Sequence, residues 1–393
     1  MALVRLDEWL ARGEPDLAAG ARARADLFEA QALAHLSGAL TALEDLVLHD
    51  AGMDVRAPTA GVVRSTRILG DRRKLARQTP ASVLAPDSLR SLIGLAGEGD
   101  KRQGADEQAA VTAAIPRVAA QSQVFRPWDM PTPLVEDDAA PWPEEDAIDE
   151  ADGPETPDDD DSDTAAGARA GGGDLAAVDA LLARTGRLLD AFSTTRPAAV
   201  SLGLRDPGYG GITRLDVWCG VLQLAQSAPA VLAAAIALDA WLTLEPAERA
   251  GEVGFALAAT VLRQRGVTAH HLPTWGLGYR NGRFRWSPHQ AQGVRIAGLL
   301  EAIHDSARLA DRDLKRLILA REVMLRHCDG RRGNSRLAQL VGLFVASPLV
   351  TVPMAAEALA VTPQAVEAML RQLGPSLPRE LTGRKRYRAW GIV

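Results

Sequence analysis

Residues 356–373 read AEALAVTPQAVEAMLRQL, and this stretch decides the fold of the C-terminal end. Small residues and a leucine at 356–359 favour a packed first helix, and residues 360–362 supply a tight turn. Thr362 is a good N-cap, and Pro363 suits the first position of the next helix, where its missing N–H costs nothing. The pattern predicts a helix-turn-helix.

The second of these helices has two different faces. Its buried face is predicted from four apolar residues at helical spacing, namely Val366, Met369, Leu370 and Leu373. The opposite face carries Gln364, Glu367, Ala368 and Arg371. A helix of this size fits the major groove of DNA, where Gln pairs with adenine and Arg with guanine. We therefore predict DNA contacts from Thr362, Gln364, Glu367 and Arg371.

A short basic hairpin is predicted to follow the second helix. Residues 379–390 read RELTGRKRYRAW, with Gly383 as the turn residue between two strand-like runs. This segment predicts a wing, so that the C-terminal end becomes a winged helix-turn-helix. Four cations lie within five residues and are predicted to contact phosphates, namely Arg384, Lys385, Arg386 and Arg388.

The charge of the C-terminal end suits duplex DNA as a partner. Residues 331–393 hold nine Arg and Lys against three Glu, a net charge of about +6. Such a surface releases counterions from a phosphate backbone. The alternative is a winged helix used for protein contact or dimerisation, because Glu367 on the reading face would repel phosphate. DNA binding is the favoured interpretation.

Length and composition predict a mainly all-α protein of several domains. The chain has 393 residues, of which 47% are hydrophobic and 4% aromatic. Alternating strand-like patterns are hard to find outside the wing. Cys219 and Cys328 stand far apart, which predicts neither a disulfide framework nor a zinc site. The first residues resemble no signal peptide, and the cytoplasm is the expected compartment.

An acidic segment divides the chain. Fifteen carboxylates and no Lys or Arg lie within residues 136–163, so the overall charge of −6 becomes about +9 without them. Prolines and glycines accompany the charges, which predicts a disordered linker over residues 117–174. A solvated spacer is the favoured role. The alternative is that the aspartates at 158–161 occupy the basic wing and compete with DNA.

The remaining sequence is predicted to form two helical regions. The predicted division is an N-terminal helical region (1–116), the linker (117–174), a helical core domain (175–330) and the winged helix-turn-helix (331–393). Residues 27–48 predict one amphipathic helix, and residues 64–77 a basic helix. Residues 217–238 are long and uncharged enough to be a membrane-span candidate. Pro229 divides them, however, which favours two buried core helices.

The helical regions carry no recognised catalytic motif. Asp45 and His49 share one helix face and are candidates for a metal site or a proton shuttle, although a surface or capping arrangement is favoured. Histidines 270, 271, 289, 304 and 327 match no metal-ligand spacing. Phosphate-binding Gly-x-x-x-x-Gly-Lys, Gly-x-Ser-x-Gly and His-Glu-x-x-His are absent from the sequence. No catalytic residue, metal ligand or cofactor is predicted.

Three phrases of the sequence resemble an uncharacterised bacterial family that is often plasmid-borne. They are LEDLVLHD at 43–50, DVRAPT at 54–59 and TGRKRYRAWGI at 382–392. Members of that family join a helical domain of unknown function to a C-terminal helix-turn-helix DNA-binding domain. The resemblance therefore implies this architecture and, with it, DNA binding.

A more remote likeness is to Fic-type AMP-transferases, some of which also join a helical body to a winged helix. The acid–Gly pair of their N-terminal helix corresponds to Ser37 and Gly38. Their catalytic loop corresponds to residues 245–254, EPAERAGEVG, which lack the catalytic His and the Gly-Asn-Gly turn. The likeness implies a relative without the catalytic motif.

Together these patterns predict a DNA-binding protein of the cytoplasm, a transcriptional regulator whose partner is double-stranded DNA and which is not an enzyme. A homodimer is a further prediction, with the helical body serving dimerisation or ligand sensing. The runner-up is a non-catalytic or divergent Fic-like protein that acts on a protein partner. A third interpretation is an interaction scaffold that uses the winged helix without DNA.

Overall fold

The structure is a computed structural model that describes residues 2–54, 57–92, 172–193, 211–247, 251–326, 336–383 and 388–392. The helices before the acidic segment are α1 (Ala2–Arg12), α2 (Pro15–Leu36), α3 (Leu43–Asp50), α4 (Ala60–Arg77), α5 (Pro80–Val83) and α6 (Pro86–Leu92). After it come α7 (Gly172–Ser193), α8 (Gly211–Leu224), α9 (Ala230–Leu244), α10 (Gly251–Gln264), α11 (Trp275–Asn281) and α12 (Gln292–Arg326).

The C-terminal end holds three more helices and a small sheet. Its elements are α13 (Leu337–Ala346), β1 (Val350–Thr351), α14 (Val352–Leu359), α15 (Pro363–Leu373), β2 (Arg379–Glu380) and β3 (Ala389–Gly391). The strands are antiparallel in the order β1-β3-β2, with Val350 opposite Trp390 on one side of β3 and Glu380 opposite Trp390 on the other. The predicted mainly all-α fold with a C-terminal winged helix-turn-helix is confirmed.

One hydrophobic core is shared by the helices on both sides of the acidic segment. Leu27 and Leu46 belong to it, as do Trp218, Trp241 and Trp275, and each of these side chains is at most 1% exposed. The indoles of Trp218 and Trp241 meet edge to face, 5.3 Å apart. The boundaries predicted at residues 116 and 330 lie outside the described residues, so the four-part division stays a prediction.

Several helix boundaries differ from the sequence-based expectation. The single helix predicted over residues 27–48 is wrong, because α2 ends at Leu36 and α3 begins at Leu43. Gly38 lies between them at φ 81°, a conformation that ends a helix and that side chains avoid. Further along the chain, α11 is a short helix of 7 residues and α12 is one continuous helix of 35 residues.

The uncharged stretch at 217–238 folds as two core helices, which is the arrangement that Pro229 favours in the sequence. Pro229 lies at the N-cap of α9, after a short 3₁₀ turn that ends α8. Trp218 and Leu238 are completely buried among other helices. Among the described residues, no helix is both long and apolar enough to cross a membrane.

Two arginines of α4 are engaged in contacts within the protein. Arg72 is 3% exposed, bonds Asp26 at 2.6 Å and donates to the carbonyl oxygens of Leu272 and Pro273. Arg73 pairs with Asp50 at 2.6 Å. Both arginines therefore already have protein acceptors.

A buried ion pair links α9 to α12. Asp239 is completely buried, and its Oδ1 and Oδ2 accept from Arg295 Nε and Nη2 at 2.7 and 3.0 Å. Trp286 Nε1 donates to the same carboxylate at 2.8 Å. Three charge-assisted hydrogen bonds therefore hold one carboxylate inside the core, where an unpaired charge would be very costly.

Candidate nucleic-acid interface

The helix-turn-helix is built by local hydrogen bonds at helix starts. Thr351 Oγ1 accepts from the Met354 N–H at 3.3 Å and begins α14. Thr362 Oγ1 accepts from the Ala365 N–H at 3.2 Å and begins α15, with Pro363 at its first turn. These are the N-cap bonds that hydroxyl residues make well. The predicted N-cap at Thr362 is confirmed, although the first helix begins four residues earlier than expected.

The second helix, α15, has the predicted two faces. Its four apolar residues are buried, with Val366 and Leu373 completely inaccessible to solvent. Gln364, Glu367 and Arg371 are exposed on the other side. The Arg371 Nε–H donates to the Glu367 carbonyl oxygen at 3.3 Å, along the helix axis. The amide of Gln364 and the guanidinium of Arg371 therefore lie on one accessible face of α15, with the carboxylate of Glu367 between them.

The wing is an antiparallel hairpin formed by β2 and β3. Its turn is closed by Glu380, whose Oε1 accepts from the backbone N–H groups of Thr382 and Gly383 at 3.0 and 3.1 Å and also from the Thr382 hydroxyl. Gly383 lies at φ 62°, which is costly for any side chain, so its predicted role as a turn residue is confirmed.

The cations of the wing are only partly described. Arg384, Lys385 and Arg386 lie outside the described residues. Arg388 is exposed, and its guanidinium carbon lies 5.0 Å from the ring centroid of Trp390. This cation–π contact places Arg388 against the inner strand β3.

Two elements of this domain were missed in the sequence. The helix α13 supplies Leu340, Phe344 and Val345 to the domain core, and β1 adds a third strand beside β3. The run LVGLFVA at 340–346, which has no polar side chain, was a usable signal. Since β1 has only two residues, no period-2 alternation marks it.

The winged helix-turn-helix packs directly on the helical body. Its core includes Leu17 of α2 together with Leu317 and Met324 of α12, which are all at most 4% exposed. Gly20 of α2 approaches so closely that a Cβ there would collide with the carbonyl oxygen of Val345. The domain is therefore held against two helices of the body.

Arg24 is the polar centre of this contact. All five of its N–H donors are used. Nε donates to Ile392 O at 2.6 Å, Nη1 to Gly20 O and Val345 O at 3.0 and 2.7 Å, and Nη2 to Phe344 O and Ser347 O, both at 2.9 Å. Burial lowers the pKa of Arg24 to about 10, so the guanidinium is charged at neutral pH.

The charge of Arg24 suits its position. Phe344 and Val345 lie in the last turn of α13, where carbonyl groups lack helical partners and the helix dipole is negative. The guanidinium satisfies these carbonyls and, through Ile392, also holds the end of the chain. The body and the winged helix-turn-helix are thus joined by one side chain, four of whose five acceptors are 320 to 368 residues away in sequence.

The acidic residues and the histidine near Asp45, namely His49, Asp50 and Asp54, form side-chain pairs at the surface. His49 Nδ1 bonds Asp54 at 2.8 Å, while the neighbouring Asp50 pairs with Arg73. Among the described residues, no three His, Cys, Asp or Glu side chains lie close enough together to hold a metal. These are pairs at the surface, and no side chain caps the start of α3.

The stretch compared with the Fic loop also has a local structural role. Glu252, in the first turn of α10, is 8% exposed, and its Oε1 accepts from Arg64 and Arg67 of α4, each at 3.1 Å. Its carboxylate therefore binds two guanidinium groups of the protein itself. This side chain would repel a nucleotide phosphate rather than bind one.

These elements define a winged helix-turn-helix DNA-binding domain mounted on a helical body. Residues 337–393 match the family described as "HTH DNA binding domain", and residues 204–329 match the family described as "Protein of unknown function (DUF1612)". The predicted order of a helical domain of unknown function and a C-terminal helix-turn-helix is confirmed. Neither family supports the predicted likeness to Fic-type proteins.

One relative is similar to this chain over its whole given length. The "Uncharacterized protein y4cF" of Sinorhizobium fredii (strain NBRC 101917 / NGR234) is 34% identical over 401 residues, which cover 100% of this chain and 94% of that protein. The chain therefore belongs to the same family as this relative.

Proposed function

We infer that the protein is a transcriptional regulator that binds duplex DNA through its winged helix-turn-helix. The observation that carries this proposal is the accessible face of α15, where Gln364, Glu367 and Arg371 project while the opposite face fills the core. The second helix of such a domain enters the major groove. There Gln reads adenine, Arg reads guanine and a carboxylate accepts from the amino group of cytosine.

The remaining contacts are proposed to be to the backbone. Thr362 starts the reading helix, and its neighbouring amides lie where helix N-termini meet phosphates. Arg384, Lys385, Arg386 and Arg388 of the wing supply positive charge for phosphates. The proposal assigns the protein no catalytic step.

The first test concerns sequence reading by α15. Replacing Gln364 or Arg371 with Ala should relax the preference for one base pair each, because a lost bidentate contact costs ~1–3 kcal/mol. The measurement is selection of bound duplexes from a random library by the full-length protein. Glu357→Ala on α14 is the matched control, since Glu357 is also an exposed helical residue.

The selected motifs decide the assignment. Wild type and Glu357→Ala should return one motif, and each α15 variant should lose information at a different position. If both α15 variants return the wild-type motif, these side chains do not read bases. An inverted repeat in the motif would support the proposed homodimer, because dimers bind two symmetric half-sites.

The second test concerns the wing. Replacing Lys385 and Arg386 together with Ala should weaken binding to all duplexes alike and reduce the slope of log affinity against log salt by ~0.9 per lost phosphate contact. Lys315→Ala on α12 is the control, because Lys315 is an exposed cation paired with Asp311 at 2.6 Å in the body. An unchanged slope in the double variant would remove the wing from the interface.

A further inference from the structure

A cavity of about 410 Å³ lies within the helical body. Its walls come from α1, α2, α12 and residues 269–274, and Ile392 reaches it from the C-terminal end. The walls are largely apolar, with Leu6, Phe28, Leu277 and Leu314 among the lining residues. Pockets of this size and character hold small organic molecules.

The charged groups in the walls already have partners within the protein. Arg24 uses all five donors, and Asp26 pairs with Arg72 at 2.6 Å. Arg263 donates to the Leu75 carbonyl oxygen at 3.2 Å. An ionic ligand would enter a mainly apolar space whose charges are satisfied, and burying its charge there would be costly. The cavity therefore favours an uncharged occupant.

One polar atom in the wall lacks a partner. His271 lines the cavity, its side chain is 8% exposed, and its Nδ1 lies 2.7 Å from Asp7 Oδ1. Asp7 Oδ1 and Oδ2 also accept from the N–H groups of His270 and Ala269. Burial raises the pKa of Asp7, but these hydrogen bonds outweigh it and lower the pKa below its ordinary value.

The tautomer of His271 follows from this contact. An ionised Asp7 only accepts, so in the neutral tautomer that fits this contact His271 Nδ1 carries the proton and Nε2 is an acceptor. Nε2 is buried and has no hydrogen-bond partner among the described residues. Buried polar atoms without partners are rare and costly, so Nε2 needs a hydrogen-bond donor inside the cavity.

We propose that this cavity binds an uncharged, mostly apolar small molecule that carries one hydroxyl group, which donates to His271 Nε2. Arg24 and Ile392 line the same cavity, and Leu317 belongs both to its wall and to the core of the DNA-binding domain. The occupant therefore contacts the groups that hold this domain on the body. Its role as an effector of DNA binding rests on the proposed function.

The test uses three probes with one aromatic body, namely 1-naphthol, naphthalene and 1-naphthoate, and titrates them into the full-length protein. 1-Naphthol should bind about two- to tenfold more tightly than naphthalene, the value of one hydrogen bond, and 1-naphthoate most weakly. His271→Asn keeps an amide donor for Asp7 but removes Nε2. It should abolish the advantage of 1-naphthol and leave naphthalene binding unchanged.

Two further variants fill the space. Ala25→Phe and Ala310→Phe add a ring inside the cavity and should weaken all three probes, whereas Ala19→Phe adds the same ring on the exposed face of α2 and should not. Circular dichroism identifies any variant that fails to fold. One folded cavity variant is enough for the test. Equal 1-naphthol binding by a folded cavity variant and by wild type would overturn the site, as would no binding by wild type. If 1-naphthoate binds most tightly of the three probes, the proposal that the occupant is uncharged is overturned.

Coupling to the DNA-binding domain has its own measurement. Saturating 1-naphthol should slow amide hydrogen exchange in α13 (Leu337–Ala346) of wild type and of Ala19→Phe, because a ligand stabilises the arrangement that it binds. Unchanged exchange in α13 with bound 1-naphthol would overturn the coupling. A protein that binds 1-naphthol but no duplex would leave this site standing and overturn the proposed function instead.

Discussion

Replacing Arg24 with Met is expected to release the DNA-binding domain from the helical body. Met keeps a long apolar side chain but leaves the carbonyls of Phe344, Val345, Ser347 and Ile392 without their donor. An orphaned buried acceptor costs ~1–3 kcal/mol, so the free energy of unfolding should fall by roughly 4 kcal/mol or more. Denaturant titration of the full-length protein measures this loss.

The location of the damage separates release of the domain from general destabilisation. Amide exchange in α13 should become faster in Arg24→Met before exchange in α9 does, because α9 lies in the other core cluster. Arg24→Lys should recover only part of the stability, since an ammonium group has three donors and cannot serve five acceptors.

Arg22→Met is the control for Arg24→Met. Arg22 lies two residues away on α2 and makes one hydrogen bond, to the Leu10 carbonyl oxygen at 3.2 Å. Its loss should cost about 1 kcal/mol. If Arg24→Met and Arg22→Met unfold at the same denaturant concentration, Arg24 does not hold the domain.

The reading helix could be predicted because its signals are local. Thr362, Pro363 and the four apolar positions lie within twelve residues, and each acts on the backbone or the face next to it. Gly383 is a similar case, since a turn at positive φ is a property of one residue. These local signals therefore predict both the helix α15 and its accessible side without any tertiary contact.

Arg24 could not be predicted in this way. It lies in an Ala-rich helix, where an arginine most often faces solvent. Four of its five acceptors are carbonyl groups more than 300 residues away, and carbonyl groups carry no sequence signature. The cavity and the acceptor on His271 are hidden for the same reason, because both arise only when α1, α2 and α12 pack together.

The histidines show the same limit from another side. The spacing of His270 and His271 from other possible ligands matches no metal motif, and the sequence carries no other signal for either residue. The partner of His271 is Asp7, 264 residues earlier in the chain. A spacing rule finds sites whose ligands share one local segment, and it misses a dyad formed by two distant elements.

The buried pair of Asp239 and Arg295 is expected to dominate the stability of the core. Asp239→Ala would leave Arg295, 8% exposed, and the Trp286 N–H without their acceptor. Removing one partner of a buried ion pair costs ~3–5 kcal/mol, a large share of the stability of a typical domain. The measurement is the free energy of unfolding in denaturant.

The double replacement Asp239→Leu with Arg295→Met distinguishes the cost of an unpaired charge from the value of the pair. Both charges are removed and replaced by apolar groups of similar size, so much of the lost stability should return. Asp311→Ala, which breaks an exposed pair on α12, should change stability by less than about 1 kcal/mol. If Asp239→Ala costs no more than Asp311→Ala, the carboxylate is not holding α9 to α12. If the double variant is as unstable as Asp239→Ala, the pair itself stabilises the core, because the loss then cannot come from a single uncompensated charge.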